Sequence, residues 1–273
     1  MAVQPEILVL IALLAGVGLF GGILSGLLGV GGGIVIVPTL YHIFSYLEID
    51  PSVRMHLAVG TSLATIIPTS IRSVLGHHRR GAVDVPLLKQ WSVPLFIGVL
   101  MGTAVAVYVR GEALTVVFAT VALLVAVQMT FLRHDWKVRD GVPRGVGGAL
   151  PPVGIGAFSS MMGIGGGTLA VPTLQAFGVP IHRAVATAAG FGLIISVPAT
   201  IGFIIAGWGN PLLPVLSAGF VSLIGFAIIV PATLLAVPWG VALAHWLKPQ
   251  PLRWAFAGFL ALTSARMYWD LFG

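Results

Sequence analysis

Long apolar stretches run along the whole chain, separated by short gaps that hold charged residues or Pro and Gly. Most of them approach the roughly 20 residues that a helix needs to cross a bilayer. The first half contains five, at 6–29, 32–47, 55–75, 86–109 and 112–132. The second half contains five more, at 145–163, 166–178, 184–206, 211–236 and 252–270. The remaining apolar piece, 237–247, is expected at the membrane interface because it carries Trp239 and Trp246.

The composition agrees with a membrane protein and excludes other classes. Apolar residues make up 58% of the 273 residues and charged residues 8%, with a mean hydropathy of +1.04, whereas a soluble domain carries about 25% charged residues. The net charge of +6 comes from the gaps, as membrane topology requires, so nucleic acid is not expected as a partner. The sequence therefore predicts an all-α polytopic membrane protein with about eight to ten transmembrane segments.

The sequence contains an internal repeat. Residues 24–40 and 158–174 align at an offset of 134, with nine of the 17 positions identical. A second match, at an offset of 130, pairs Ala58, Gly60, Leu63 and Pro68 with Ala188, Gly190, Leu193 and Pro198. We therefore divide the chain into a first transmembrane repeat, 1–140, and a second, 145–273, with a cytoplasmic linker at 133–144.

The basic residues predict how the two repeats are oriented. Ten Lys and Arg residues fall in alternate gaps, which the positive-inside rule assigns to the cytoplasm, against three in the opposite gaps. Both termini then face outward, and an odd number of crossings inverts the second repeat relative to the first. The number stays odd whether 32–47 and 166–178 cross the bilayer or form re-entrant pairs with the segments before them. Inverted repeats are typical of secondary transporters, which bind substrate near the membrane centre.

Two glycine-rich motifs lie at matching points of the repeats, GVGGG at 29–33 and GIGGG at 163–167. Three consecutive glycines break a helix, and each motif precedes a stretch that is short for a spanning helix. The N–H groups at the start of the new helix carry partial positive charge, and glycines let an anion approach them. We therefore predict an anion site that uses these glycines and nearby hydroxyl groups: Gly31, Gly32, Gly33, Gly165, Gly166, Gly167, Ser25, Ser159, Thr39 and Thr173.

Other residues have both a structural and a functional interpretation. Glycines at four-residue spacing indicate close helix packing, and these are Gly18, Gly22 and Gly26 in the first segment with Gly98 and Gly102 in the fourth. Arg72, inside a predicted span, either extends its side chain to the cytoplasmic interface or binds the anion. Arg54 and Arg183 precede the third segment of their halves, where each either sets the topology or guides anions.

The paired Gly-x-Gly-Gly-Gly motif, followed in each half by an apolar stretch and Pro-Thr, resembles the TauE/SafE family of sulfite and organosulfonate exporters. The resemblance covers residues 10–270. It implies an inner-membrane transporter that moves sulfite, sulfoacetate or related sulfur oxyanions, usually outward. Thr61 and Ser62 stand opposite Phe191 and Gly192 of the second half, so any polarity that this segment lends to a pocket is one-sided.

Together these features predict a multi-pass inner-membrane transporter that moves a small sulfur-containing oxyanion, with export by alternating access as the expected mode. No nucleotide-binding, catalytic or metal-ligand motif occurs in the sequence, so we expect no enzyme activity, cofactor or metal. The eight acidic residues lie in gaps or near the termini, which favours an anionic substrate. A passive anion channel and a membrane scaffold are the alternatives, and the glycine-rich faces would permit a homodimer.

Overall fold

The structure, a computed structural model, describes residues 5–28, 32–131, 141–143, 145–246 and 249–272. These residues form ten helices and one two-stranded hairpin. The helices of the first half are α1 Pro5–Leu28, α2 Gly33–Tyr46, α3 Pro51–Arg79, α4 Val85–Tyr108 and α5 Gly111–Phe131. Those of the second half are α6 Val146–Met162, α7 Gly167–Ala176, α8 Ile181–Gly207, α9 Leu223–Trp246 and α10 Pro249–Phe272. Strands β1 Ser217–Ala218 and β2 Val221–Ser222 lie between α8 and α9.

The helix lengths fit a bilayer. Within the described ranges, five helices are long and apolar enough to cross a membrane, namely α3, α4, α5, α8 and α9. α2 and α7 contain 14 and 10 residues, or about 21 and 15 Å, less than the roughly 30 Å of a hydrocarbon core. The prediction of an all-α polytopic membrane protein with short helices after the glycine motifs is confirmed.

The predicted segment 211–236 is wrong at both ends. Helix α9 starts at Leu223 and continues through 237–247 as far as Trp246, so that piece is not a separate interfacial segment. Residues 208–222 form turns and the β1–β2 hairpin instead. The sequence conceals this change, because a short apolar run occurs equally in buried strands and in buried helices.

The helices pair across the two halves. α1 packs against α9 and α4 against α6, while α3 packs against α8 and α5 against α10. Helices α1–α5 of the first half correspond in order to α6–α10 of the second half. When each helix is exchanged for its counterpart, the same four pairs result, which is the pattern of a duplicated fold. The opposite orientation of the halves in a membrane stays a prediction.

Glycine faces bring the paired helices close together. An added Cβ at Gly18 or Gly22 of α1 would lie 2.6–2.7 Å from carbonyl oxygens of α9. Gly98 and Gly102 of α4 press in the same way against carbonyl oxygens of α6. The packing interpretation of these four glycines is confirmed, because any larger residue would overlap the neighbouring backbone.

Helices α3 and α8 form the centre of the molecule and run antiparallel. Gly60 near the start of α3 lies beside Phe203 near the end of α8, whereas Ser70 near the end of α3 lies beside Gly192. The ends of α2 and α7 lead into the starts of α3 and α8 through connections of four residues each, 47–50 and 177–180. The two short helices therefore approach the centre from opposite ends of the α3–α8 pair.

The starts of α3 and α8 are capped differently. Asp50 accepts hydrogen bonds from the hydroxyl of Ser52 at 2.6 Å and from its N–H at 2.9 Å. Because these bonds favour the carboxylate, the Ser52 hydroxyl first and its N–H second, they lower the pKa of Asp50 below its usual value. Pro180, before α8, provides no side-chain cap.

Candidate functional site

The last residue of the first glycine-rich motif lies against the second motif. Gly33, the first residue of α2, packs so closely against the carbonyl oxygen of Gly163 and the Cα of Ile164 that a side chain has no room. The hydroxyl of Ser62 on α3 donates to the same Gly163 oxygen at 2.7 Å. Gly33 of the first motif and Gly163 of the second, which lie far apart in the sequence, therefore meet beside α3 at the centre of the fold.

A small cavity lies beside the second break. Its volume of about 20 Å³ has room for roughly one water molecule. The first half contributes hydroxyl groups from α1 and α3, and the second half contributes glycines and alanines from the break and α8. The lining residues are Ser25, Thr69, Ser70, Ser73, Gly165, Gly166, Gly167, Ala188, Ala189 and Gly192.

The hydroxyl groups of the cavity differ in what they already bind. Thr69 donates to backbone carbonyls one turn earlier on α3, at 2.9 Å to Ile66 and 3.1 Å to Thr65. The three serine hydroxyls of the lining have no hydrogen bond to another described residue. They are therefore free to donate to a molecule in the cavity.

The second break also brings the start of a helix to the cavity. α7 begins at Gly167, and its N-cap residue, Gly166, has no side chain to accept the first N–H groups. Such groups carry partial positive charge. None of the lining residues is charged. The cavity thus offers hydrogen-bond donors and the positive end of a helix dipole without an ionised group, which suits a small anion.

The structure brings together some of the residues predicted for the anion site. Ser25 and Gly165–Gly167 line the cavity. Gly32 and Gly33 lie at the start of α2, outside the lining, and Gly31 falls outside the described residues. Ser159 is fully buried, and its hydroxyl has no partner within the described part of the chain.

Thr39 and Thr173 do not line the cavity in this conformation. Their hydroxyls donate to the carbonyls of Val35 and Leu169, each at 2.7 Å and each four residues earlier in the same helix. Ser and Thr commonly make this bond inside helices. The bond is the same in both halves, so the Thr of each Pro-Thr pair bonds within its own helix in α2 and in α7.

The three arginines with two interpretations also lie outside the cavity. Arg72 is exposed on α3 and lines a separate groove. Arg183 pairs with Asp84 at 3.1 Å, and Arg54 donates to the carbonyl of Ile49 at 2.9 Å. Arg54 and Arg183 thus hold the connections before α3 and α4.

The α3 residues of the cavity are not among the predicted site residues, although the sequence contains a signal for them. Hydroxyl side chains recur on α3 at spacings of mostly three or four residues, which places them on one helix face. They are Ser62, Thr65, Thr69, Ser70 and Ser73. The matching positions of α8, at the offset of 130, hold Gly192, Ile195, Ala199, Thr200 and Phe203. At four of these five positions only the first half has a hydroxyl, so the one-sided polarity seen at positions 61 and 62 extends along most of the face; Thr200, which matches Ser70, is the exception.

The chain is similar to proteins described as membrane transporters. The family model described as sulfite exporter TauE/SafE matches residues 14–267. A probable membrane transporter protein of Haemophilus influenzae is 32% identical over 261 residues, covering 92% of this chain and 96% of its own length. A probable membrane transporter protein of Methanocaldococcus jannaschii is 28% identical over 275 residues, covering 96% and 97%. No solved structure matches the chain significantly.

The membrane-length helices around a small polar cavity, together with these relatives, define a multi-pass membrane transporter. The chain belongs to the TauE/SafE sulfite exporter family. The family membership predicted from the duplicated glycine motif is confirmed, and so is membrane transport as the general function.

Proposed function

We propose that this transporter carries a small sulfur-containing oxyanion, such as sulfite or sulfoacetate, out of the cytoplasm across the inner membrane. The family model carries sulfite export in its description, and the two relatives carry only the broader description of probable membrane transporters. One observation carries the proposal, namely the cavity that combines serine hydroxyls with the glycines at the start of α7.

The chemistry of the lining matches an oxyanion. Sulfite and sulfonate oxygens accept hydrogen bonds, whereas serine O–H and backbone N–H groups donate them. Gly166 and Gly192 carry no side chain over their backbone, and in this conformation Ile195 and the Ser70 hydroxyl pack where side chains would lie. A ligand can approach the backbone closely once these groups move aside. Because the lining has no full positive charge, it holds the anion by dipoles and hydrogen bonds, which leaves binding weak enough for release.

The cavity corresponds to a closed state of the transport cycle. Its volume suits one water molecule, so α3 and α8 have to separate before an anion enters. Ser70 lies about 14 Å from the end of α3 at Arg79, and Gly192 about 17 Å from the start of α8 at Ile181. The end of α3 and the start of α8 lie at the same end of the α3–α8 pair, and the positive-inside rule places this end in the cytoplasm. We therefore expect the cavity to open first toward the cytoplasm.

Rocking of the halves around the α3–α8 contact would then open the opposite side. In that state we place the anion between both breaks, with Gly32, Gly33 and Ser159 completing its shell. Ser159 supports this assignment, because a buried hydroxyl without a partner is costly unless a ligand or water satisfies it. Inversion of the two halves supplies the matching half-site.

Sulfite efflux from proteoliposomes that contain the purified protein tests the site. The double substitution Ser70→Ala/Ser73→Ala removes two cavity donors, and we expect efflux to fall about tenfold or more, since a hydrogen bond to a charged group contributes about 1.5–3 kcal/mol. Ser92→Ala is the matched control, because the Ser92 hydroxyl is exposed on α4 and bonds to the carbonyl of Lys89. Equal efflux by both variants would remove the cavity from the transport path.

The same vesicles distinguish the mechanisms and the substrates. Saturation of the initial rate, with acceleration by sulfite on the opposite side, supports alternating access, whereas single-channel currents would replace the carrier with a channel. Sulfite, sulfate, sulfoacetate and taurine are compared under an imposed proton gradient. Transport of none of them above protein-free vesicles would contradict a sulfur oxyanion as substrate.

A further inference from the structure

A groove on α3 lies outside the proposed transport path. Its space of about 510 Å³ is bounded by Pro68, Ile71, Arg72, Leu75, Gly76 and Arg79 of α3 together with Leu234 of α9. The walls are apolar except for the two arginines, which lie two turns apart on one side of α3. Arg72 and Arg79 are both exposed.

The depth of the two arginines matches the edge of a bilayer. Arg54 and Arg72 lie 18 positions apart on α3, or about 27 Å, close to the roughly 30 Å of a hydrocarbon core. With Arg54 at one boundary, Arg72 therefore lies at the other. Arg79 lies about 10 Å further out, at the level of the lipid headgroups.

We propose that this groove binds an anionic phospholipid. The lipid phosphate lies between Arg72 and Arg79, and an acyl chain follows Ile71, Leu75 and Leu234. Guanidinium groups bind phosphate through paired hydrogen bonds, and basic pockets between transmembrane helices hold anionic headgroups. A soluble anion would gain nothing from the apolar walls, so the groove fits a lipid better than free phosphate or substrate. The inference is independent of the transport substrate.

The matching face of α8 serves as an internal comparison. At the offset of 130, Pro198, Ile201 and Ile205 of α8 repeat the apolar wall, while Gly202 of α8 and Gly209, in the turn just after α8, replace the two arginines. Ile201 and Ile205 are 52% and 70% exposed. The repeated fold therefore does not require charge at these positions, and the arginines are a feature of the first half alone.

Thermal unfolding of the full-length protein in detergent, with added dioleoyl phosphatidylglycerol or dioleoyl phosphatidylcholine, tests the inference. We expect the anionic lipid to raise the Tm of the wild type by several degrees more than the zwitterionic lipid. Arg72→Gln/Arg79→Gln should lose at least half of that difference. Arg110→Gln/Arg266→Gln, which removes two exposed arginines on the opposite predicted side, should keep it.

A second variant blocks the groove and leaves both arginines in place. A Cβ at Gly76 would meet no heavy atom within 4 Å, so Gly76→Phe can fold and fill the space that the acyl chain needs. It should lose the preference for phosphatidylglycerol as the arginine variant does. An unchanged preference in either variant would overturn the lipid site, and so would an equal rise in Tm with inorganic phosphate or sulfite alone.

Discussion

The connections that lead into α4 and α9 share one pattern of hydrogen bonds. Asp84, just before α4, accepts the N–H of the residue three positions later at 3.1 Å and donates its own N–H to the hydroxyl of Thr187 at 3.0 Å. Ser222, just before α9, accepts in the same way at 3.1 Å and donates to the hydroxyl of Thr61 at 2.9 Å. In each half, the residue that caps the fourth helix is thus anchored to the third helix of the other half.

The surroundings of the two caps differ. Asp84 also pairs with Arg183, whose side chain is 58% exposed. Ser222 is the last residue of the β1–β2 hairpin, whose loop residue Phe220 is 6% exposed. The ring of Phe220 lies 5.0 Å from that of His56 and 6.4 Å from that of Phe203. One end of the α3–α8 pair is therefore closed by polar groups near water, and the other by a buried apolar plug.

This difference predicts which end opens more easily. An exposed ion pair contributes about 0–1 kcal/mol, whereas exposing a buried phenylalanine side chain to water costs about 1.5–3 kcal/mol. The free energy needed to open the Asp84 end is then the smaller one. Because the cavity also lies nearer that end, we predict loading from the predicted cytoplasmic side, which agrees with the export proposed above.

The largest effect is expected when the apolar plug is removed. Phe220→Ala should lower the free energy of unfolding by about 3–5 kcal/mol, because it deletes a buried aromatic side chain and leaves a cavity. Thermal unfolding followed by tryptophan fluorescence measures the loss. Phe272→Ala is the control, since that ring is 77% exposed. Equal stability of the two variants would show that the hairpin does not close this end.

The same contrast shows how far the sequence predicts the fold. Nine of the ten predicted segments correspond to helices within a few residues, because spanning helices are specified by local apolar length. The hairpin at 217–222 is not predicted, since its stability depends on distant partners, Thr61 for the N–H of Ser222 and Phe203 for Phe220. The apolar sequence of this segment does not indicate which distant residues it contacts.

The candidate site, like the fold, is predicted only in part from the sequence. Ser25 and the glycines at 165–167 are predicted because backbone geometry and hydroxyl chemistry are local properties of the sequence. Ser70 and Ser73 are not predicted, because only the packing of α3 across the second break turns their helix face toward it. Thr39 and Thr173 are chemically suitable donors that bond within their own helices instead. The sequence therefore indicates which residues can donate hydrogen bonds. It does not indicate the contacts between the two halves that decide which of these donors face the cavity.

A smaller effect is expected from the two threonines that anchor the caps, and the pair sharpens the comparison. Thr61→Val leaves the buried N–H of Ser222 without an acceptor, so the free energy of unfolding should fall by about 1–3 kcal/mol. Thr187→Val should cost less, because Asp84 is only partly buried and water can take over its N–H. Both threonine side chains are fully buried, and valine has nearly the same shape as threonine. A larger loss of unfolding free energy for Thr187→Val than for Thr61→Val would therefore contradict the conclusion that water reaches the Asp84 end of the α3–α8 pair.

The smallest effect is expected at the Arg183–Asp84 pair. Arg183→Gln should lower the free energy of unfolding by about 0.2–1 kcal/mol at low salt. The difference from wild type should shrink as NaCl rises from about 0.05 to about 0.5 M, because mobile ions screen exposed charges. Arg110→Gln is the matched control, since its 3.6 Å pair with Glu112 is more exposed and lies at the other end.

Arg183→Gln should also load sulfite from the cytoplasmic side at least as fast as wild type, because the ion pair with Asp84 no longer has to break when that end opens. If Arg183→Gln instead lost as much stability as Phe220→Ala, the polar closure would be the stronger of the two, and opening toward the plugged end would become the expected first step.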